Sequence, residues 1–251
     1  MAEDLDTGSL GALRAQDAEL AHLLTLCIPA AARPAAQALF SLHLELARAH
    51  RVTSDTTIGT IRIRWWLDAL DDLYAEKAPR QHPIVLSLAS AVSTHGLARG
   101  LIDAKIESHA LDLDGLRSLD WTEASQLFAS QRGNLFRLML QAQGIEHAQA
   151  HAAANHLGVA MGVWRAIPGI GTINDLPWLS EAPTEPNWLV QALTHLDEID
   201  GLAKQTTLPK WLRVYGQYLR SGLMAVANDR LPQAYAQQKG AAFGLWRRML
   251  F

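Results

Sequence analysis

Pro34-Ala-Ala-Gln-Ala-Leu-Phe-Ser-Leu-His-Leu-Glu-Leu-Ala-Arg-Ala-His50 decides the fold. Leu39, Leu42, Leu46 and Ala49 recur at helical spacing and form one apolar face. Pro34 sits where a helix begins, in the first turn, where its missing N–H removes no hydrogen bond. The segment therefore reads as an amphipathic α-helix. The same signature extends in both directions. Asp17 to Cys27 reads as a preceding helix stopped by Pro29. Downstream, Ser54 or Asp55 can cap a helix through Tyr74, with Ile58, Ile61 and Trp65 on one face and Trp66, Leu70 and Leu73 on another, so burial on two sides is expected.

Further helices are predicted over Ile84 to His95, with Gly96 as C-cap, and over about Arg99 to Leu111. Thr122 to Gln143, His147 to Ala166, Trp188 to Leu202, Lys210 to Asn228 and Gly240 to Leu250 follow the same pattern. Gly158 and Gly162, four residues apart, allow close helix approach. Pro168 to Pro177 reads as the longest loop. Period-two alternation rich in β-branched residues is scarce, so the expected class is all-α, in one domain over residues 1–251 with a flexible stretch at 1–14.

Composition narrows the function classes. The 251 residues are 49% hydrophobic and 19% charged, which suits a packed interior and argues against disorder. A formal charge of -3, with basic residues dispersed along the chain, makes nucleic acid an unlikely partner. Cys27 is the sole cysteine, so an intrachain disulfide and a cysteine-built zinc cage are excluded. The acidic start Met1 to Gly8 does not read as a signal peptide, and no apolar run reaches the roughly 20 residues of a membrane span. A cytoplasmic location is expected.

Four constellations carry candidate chemistry. Asp68, Asp71 and Asp72 lie within one helical turn, and Asp68 and Asp72 share a face on which a divalent cation such as Mg²⁺ could bind. The competing reading is a solvated acidic face, favoured because no second carboxylate group is evident. His147, His151 and His156 suggest zinc only superficially, since HExxH is missing. Within Ser130-Gln-Arg-Gly-Asn-Leu-Phe-Arg137, Arg132 and Arg137 flank Gly133 and Asn134, an arrangement able to receive an anion or pair with an acid. The tail Phe243 to Phe251 mixes aromatics with two arginines and suits either core packing or peripheral membrane contact.

Several segments together resemble the squalene and phytoene synthase family. They are Ala38-Leu-Phe-Ser-Leu-His-Leu-Glu-Leu46, Ile61-Arg-Ile-Arg-Trp-Trp-Leu-Asp-Ala-Leu70, Arg80-Gln-His-Pro83, Leu101-Ile-Asp-Ala104, Ser130 to Gly144, Leu157-Gly-Val-Ala160 and Leu176-Pro177. The resemblance implies a class I isoprenoid-synthase-like helical bundle around a central apolar cavity. In active members, two aspartate-rich motifs on facing helices hold Mg²⁺ against a substrate diphosphate. The first would fall here on Ala47, Arg48 and Arg51, and the second on Ala166-Ile-Pro-Gly-Ile170. Neither contains an acid. Leu127 stands where a tyrosine is usual, and Gly171-Thr-Ile-Asn-Asp175 replaces a basic loop.

Without metal, the negative charge developing on a departing diphosphate would lack its main stabiliser. The resemblance is therefore closer to the family's non-catalytic branch, which includes the mitochondrial complex I assembly factor and its alphaproteobacterial relatives. It implies no catalytic residues, no metal and no cofactor. It also implies a respiratory-complex subunit or assembly partner, a prenyl or lipid ligand near Arg48, Arg51, Arg132, Asn134 and Arg165, and peripheral contact with the inner membrane. The alternative is a divergent prenyltransferase using Mg²⁺ at Asp68, Asp71 and Asp72 on farnesyl or geranylgeranyl diphosphate.

Overall fold

The computed structural model describes residues 11, 13–15, 17–48, 56–110, 119–167 and 186–228. Ala49, His50, Arg51, the segment Pro168 to Pro177 and the tail from Phe243 lie outside them. Ten α-helices are described: α1 Ala18–Cys27, α2 Arg33–Arg48, α3 Thr56–Tyr74, α4 Pro83–His95, α5 Arg99–Ser108, α6 Trp121–Phe128, α7 Asn134–Gln141, α8 Ala148–Ala166, α9 Pro186–Gln205 and α10 Lys210–Ala227. No strand occurs among the described residues.

Local chemistry sets the boundaries. Asp17 caps α1 by accepting from Leu20 N at 3.0 Å. Gly96 ends α4 with φ +62°, the left-handed conformation a glycine adopts at no steric cost. Asp120 and Glu123 form a reciprocal capping box at the start of α6. The long helix expected from Thr122 to Gln143 is interrupted. Ala129–Gly133 forms a π-helical turn between α6 and α7, a distortion frequent at functional positions.

Helix α8 is the centre of the bundle, packing against α6, the π turn, α7, α9 and α10. Its half from Leu157 to Ala166 is buried throughout. Small residues make this possible. A Cβ added at Gly158 would lie 2.2 Å from Gly133 N, and one at Gly162 would lie 2.2 Å from Phe128 Cγ. Helix α3 departs from expectation by burying one face only, through Ile63, Trp66, Ala69 and Leu70. Ile58 and Ile61 are 48% and 63% exposed, because α3 covers α5 on one side and has no comparable described neighbour on the other.

The α8–α9 seam contains a titratable joint. His156 Nδ1 and His195 Nδ1 are 2.8 Å apart, and the Trp121 ring lies tilted against His195 at 5.9 Å. Burial lowers both imidazoles, His195 to about 4 with a further contribution from His156, while Glu198 partly opposes the shift at His156. A histidine lowered on folding adds stability above its unfolded value of 6.5, and that stability is lost as pH falls towards 4. Urea unfolding should therefore show a decline of about 1–2 kcal/mol across this window after allowing for partial exposure, and His195→Asn should flatten it. An unchanged pH profile in that variant would remove the joint from the account.

Candidate functional site: a charged core

The interior between α1, α8 and α10 holds charge. Arg165 Nη2 donates to both oxygens of Asp17, at 2.7 and 2.8 Å, and lies 3.0 Å from Glu19 Oε2. Glu19 also accepts from Tyr218 OH at 2.7 Å, Tyr215 OH at 3.2 Å and Trp164 Nε1 at 3.3 Å. Asp17, Glu19 and Arg165 are 3%, 5% and 2% exposed. So few waters reach these groups that each charge depends on its protein partners. Burial and the Glu19 carboxylate push the Tyr215 hydroxyl well above its ordinary range, so it stays a donor.

A second cluster joins α2, α5 and the π turn. Lys105 Nζ donates to Gln131 O at 2.6 Å and meets His43 Nδ1 at 2.9 Å. Burial foremost, then the charges of Lys105, Arg132, His109 and Arg165, hold His43 well below its ordinary value. His43 is thus neutral, with Nδ1 as acceptor for the ammonium and the ring proton on Nε2. Among the described residues, Nε2 has no hydrogen-bond partner. Arg132 donates to Gln131 Oε1 at 3.1 Å and stacks over Phe128 at 5.9 Å.

The sequence candidates are distributed unevenly over this core. Arg132 and Arg165 both act electrostatically on His43, and Asn134 is buried one position beyond the π turn. Arg48 is exposed at the end of α2, and Arg51 is outside the described residues. Ala47 and Ala166, at the two expected metal-motif positions, are buried at 1% and 4% exposure. Neither can ligate a cation.

The aspartates of α3 are engaged by bases. Asp68 pairs with Arg64 at 2.9 Å, Asp71 with Arg99, and Asp72 with Arg80 at 3.0 Å and Lys77 at 3.2 Å. Those two contacts hold the Asp72 carboxyl below its usual range. No group of three or more His, Cys, Asp or Glu side chains among the described residues is placed to hold a metal. The three histidines considered together separate: His147 caps α8, His151 bonds Ile145 O at 2.9 Å, and His156 meets His195.

Sequence reasoning overlooked Asp17, Glu19, His43, Lys105, Tyr215 and Tyr218. A signal existed for two of them. Lys105 falls three residues after Ile102 and one before Ile106, on the buried face of α5, and His43 lies between Phe40 and Ala47 in the same manner on α2. A charged or polar residue in an apolar stripe marks a buried interaction.

Known proteins place this geometry. The squalene/phytoene synthase family model matches residues 14–172. NADH dehydrogenase (ubiquinone) complex I, assembly factor 6, from Bos taurus is 32% identical over 162 residues, covering 64% of this chain and 48% of that protein. The Mus musculus protein of the same name is 31% identical over 151 residues, covering 60% and 45%. The chain thus spans about half the length of the curated relatives it matches. Among solved structures, a dehydrosqualene synthase in complex with ligand superposes with TM-score 0.73 at 12% identity, covering 98% of this chain and 95% of the other. Squalene synthase HpnC from Alicyclobacillus acidocaldarius gives TM-score 0.67 at 15% identity, covering 89% and 94%. These two likenesses establish the class I isoprenoid-synthase-like helical fold. By model and fold together, the chain belongs to the squalene/phytoene synthase family.

Proposed function

We propose that the chain is a non-catalytic member of this family that assists assembly of respiratory complex I. The observation carrying this reading is the pair of buried alanines, Ala47 and Ala166, where an active synthase needs carboxylates. Arg165, beside one of them, is held by Asp17 and Glu19. Relatives named as complex I assembly factor 6 supply the partner class. A prenyl or lipid ligand and peripheral contact with the inner membrane belong to the same proposal. No described helix is long and apolar enough to cross a membrane.

Two measurements test it. Incubation with farnesyl or geranylgeranyl diphosphate and Mg²⁺ is expected to release no diphosphate above the uncatalysed rate. Deletion of the gene is expected to reduce assembled complex I on native gels, with restoration by the intact chain. Turnover at about 1 s⁻¹ or faster would contradict the non-catalytic reading. If that turnover disappeared in Asp68→Ala, the divergent prenyltransferase would take its place.

A further inference from the structure

A polar cleft of about 530 Å³ opens between α7 and α8 on the outside of the bundle. Arg137 and Gln141 line it from α7, His151 and Asn155 from α8, and Glu146 from the turn between them. The apolar part of the wall is two alanines, Ala148 and Ala152. Two alanines are too little apolar wall to hold a prenyl chain or acyl tail. The volume nevertheless falls within the range of about 300–1,000 Å³ typical of small-molecule sites.

Arg137 is the group that gives the cleft a chemical preference. It is half-buried, and among the described residues its side chain makes one hydrogen bond, Nη1 to Asn134 Oδ1 at 3.2 Å. Its Nε is shielded from solvent and has no acceptor among the described residues. No carboxylate forms an ion pair with it there, whereas Arg62, Arg64, Arg80, Arg99 and Arg220 each have one. The guanidinium therefore retains most of its five donors for an oxyanion. Glu146, whose side chain is 69% exposed, stands on the same cleft and lies 3.9 Å from His151. The site thus presents a cation at one part of its wall and an anion at another.

The position is held by the helix core. A Cβ at Gly133 would lie 2.4 Å from Asn155 Oδ1, so the missing side chain lets Asn155 rest on the π turn. Asn134 follows directly and orients Arg137. Asn155 and Ala166 are eleven residues apart on α8, or about 16 Å along its axis, so the cleft is separate from the position expected for the second metal motif.

We infer that this cleft binds a zwitterionic phosphate ester, with the phosphate on Arg137 and an ammonium group towards Glu146. The ester comes from one of two sources, a soluble molecule or the headgroup of a phospholipid. The inference is independent of the assembly role.

Calorimetric titration of the full chain with O-phosphoethanolamine and with inorganic phosphate is the test. Phosphoethanolamine should bind more tightly, Arg137→Gln should weaken both by at least about tenfold, and Arg137→Lys should recover part of the loss. Glu146→Gln should keep phosphate binding while abolishing the preference. Co-sedimentation with phosphatidylcholine vesicles, with or without phosphatidylethanolamine, lost in Arg137→Gln, assigns the lipid source, and binding of the soluble ester alone assigns the other. No heat up to about 10 mM ligand overturns the inference. Wild-type affinity in a folded Arg137→Gln does the same. If that variant melts early, the exposed Glu146→Gln still decides, because an unchanged preference also overturns it.

Discussion

Arg165→Leu is expected to lower the unfolding free energy by about 3–5 kcal/mol, the usual result of removing one partner from a buried ion pair. Asp17 and Glu19 would remain 3% and 5% exposed with their countercharge gone. Asp17 would keep its bond from Leu20 N, and Glu19 its bonds from Tyr215 and Tyr218, but neutral donors do not replace the positive charge of the guanidinium. Since total stability for a domain is about 5–15 kcal/mol, the variant should be partly unfolded near room temperature or melt far earlier. Combining Asp17→Asn, Glu19→Gln and Arg165→Met should recover most of the loss. Asn still caps α1 and Gln still accepts from the tyrosines, while no charge of this network is left buried. Urea unfolding of both variants decides the matter: a triple variant no more stable than Arg165→Leu would mean that lost packing, and not stranded charge, explains the effect.

That network explains why the core was less legible than the helices. Helix existence depends on residues three and four apart, and the described bounds follow the periodicity closely, as with Arg33–Arg48 for the expected Pro34 to His50 and Ala148–Ala166 for His147 to Ala166. Arg165, by contrast, meets Asp17 across 148 positions, and Tyr218 meets Glu19 across 199. No local pattern encodes such a partnership. The positions where metal motifs are expected were readable because the family resemblance fixes them. The π turn was not, since nothing in Ala-Ser-Gln-Arg-Gly over 129–133 excludes an ordinary helical turn. Ile58 and Ile61 illustrate the converse: hydrophobic spacing marks a face that can be buried, and only the neighbouring helices determine whether it is.

Gly158→Ala should be as damaging as the loss of Arg165, although it adds a single carbon. Alanine is favoured over glycine inside a helix by about 1 kcal/mol, so propensity alone predicts stabilisation. Packing opposes this. The new Cβ would lie 2.2 Å from Gly133 N, 2.4 Å from Gly133 Cα and 2.8 Å from Arg132 C, all backbone atoms that no rotamer change can move. Relief requires α8 and the π turn to separate, which would shift Arg132 and Asn134 together. Overpacking of this kind costs about 3 kcal/mol or more, outweighing the propensity gain. A fall in melting temperature of about 6–12 °C is expected for a chain of this size. Gly201→Ala is the matched control, because its Cβ would meet nothing within 4 Å on α9. There the propensity term should prevail and stability rise by about 0.5–1 kcal/mol. If both alanines stabilised the chain, the close contact between α8 and the π turn would have to be relaxed in solution, and the support it gives to Asn134 and Arg137 would go with it.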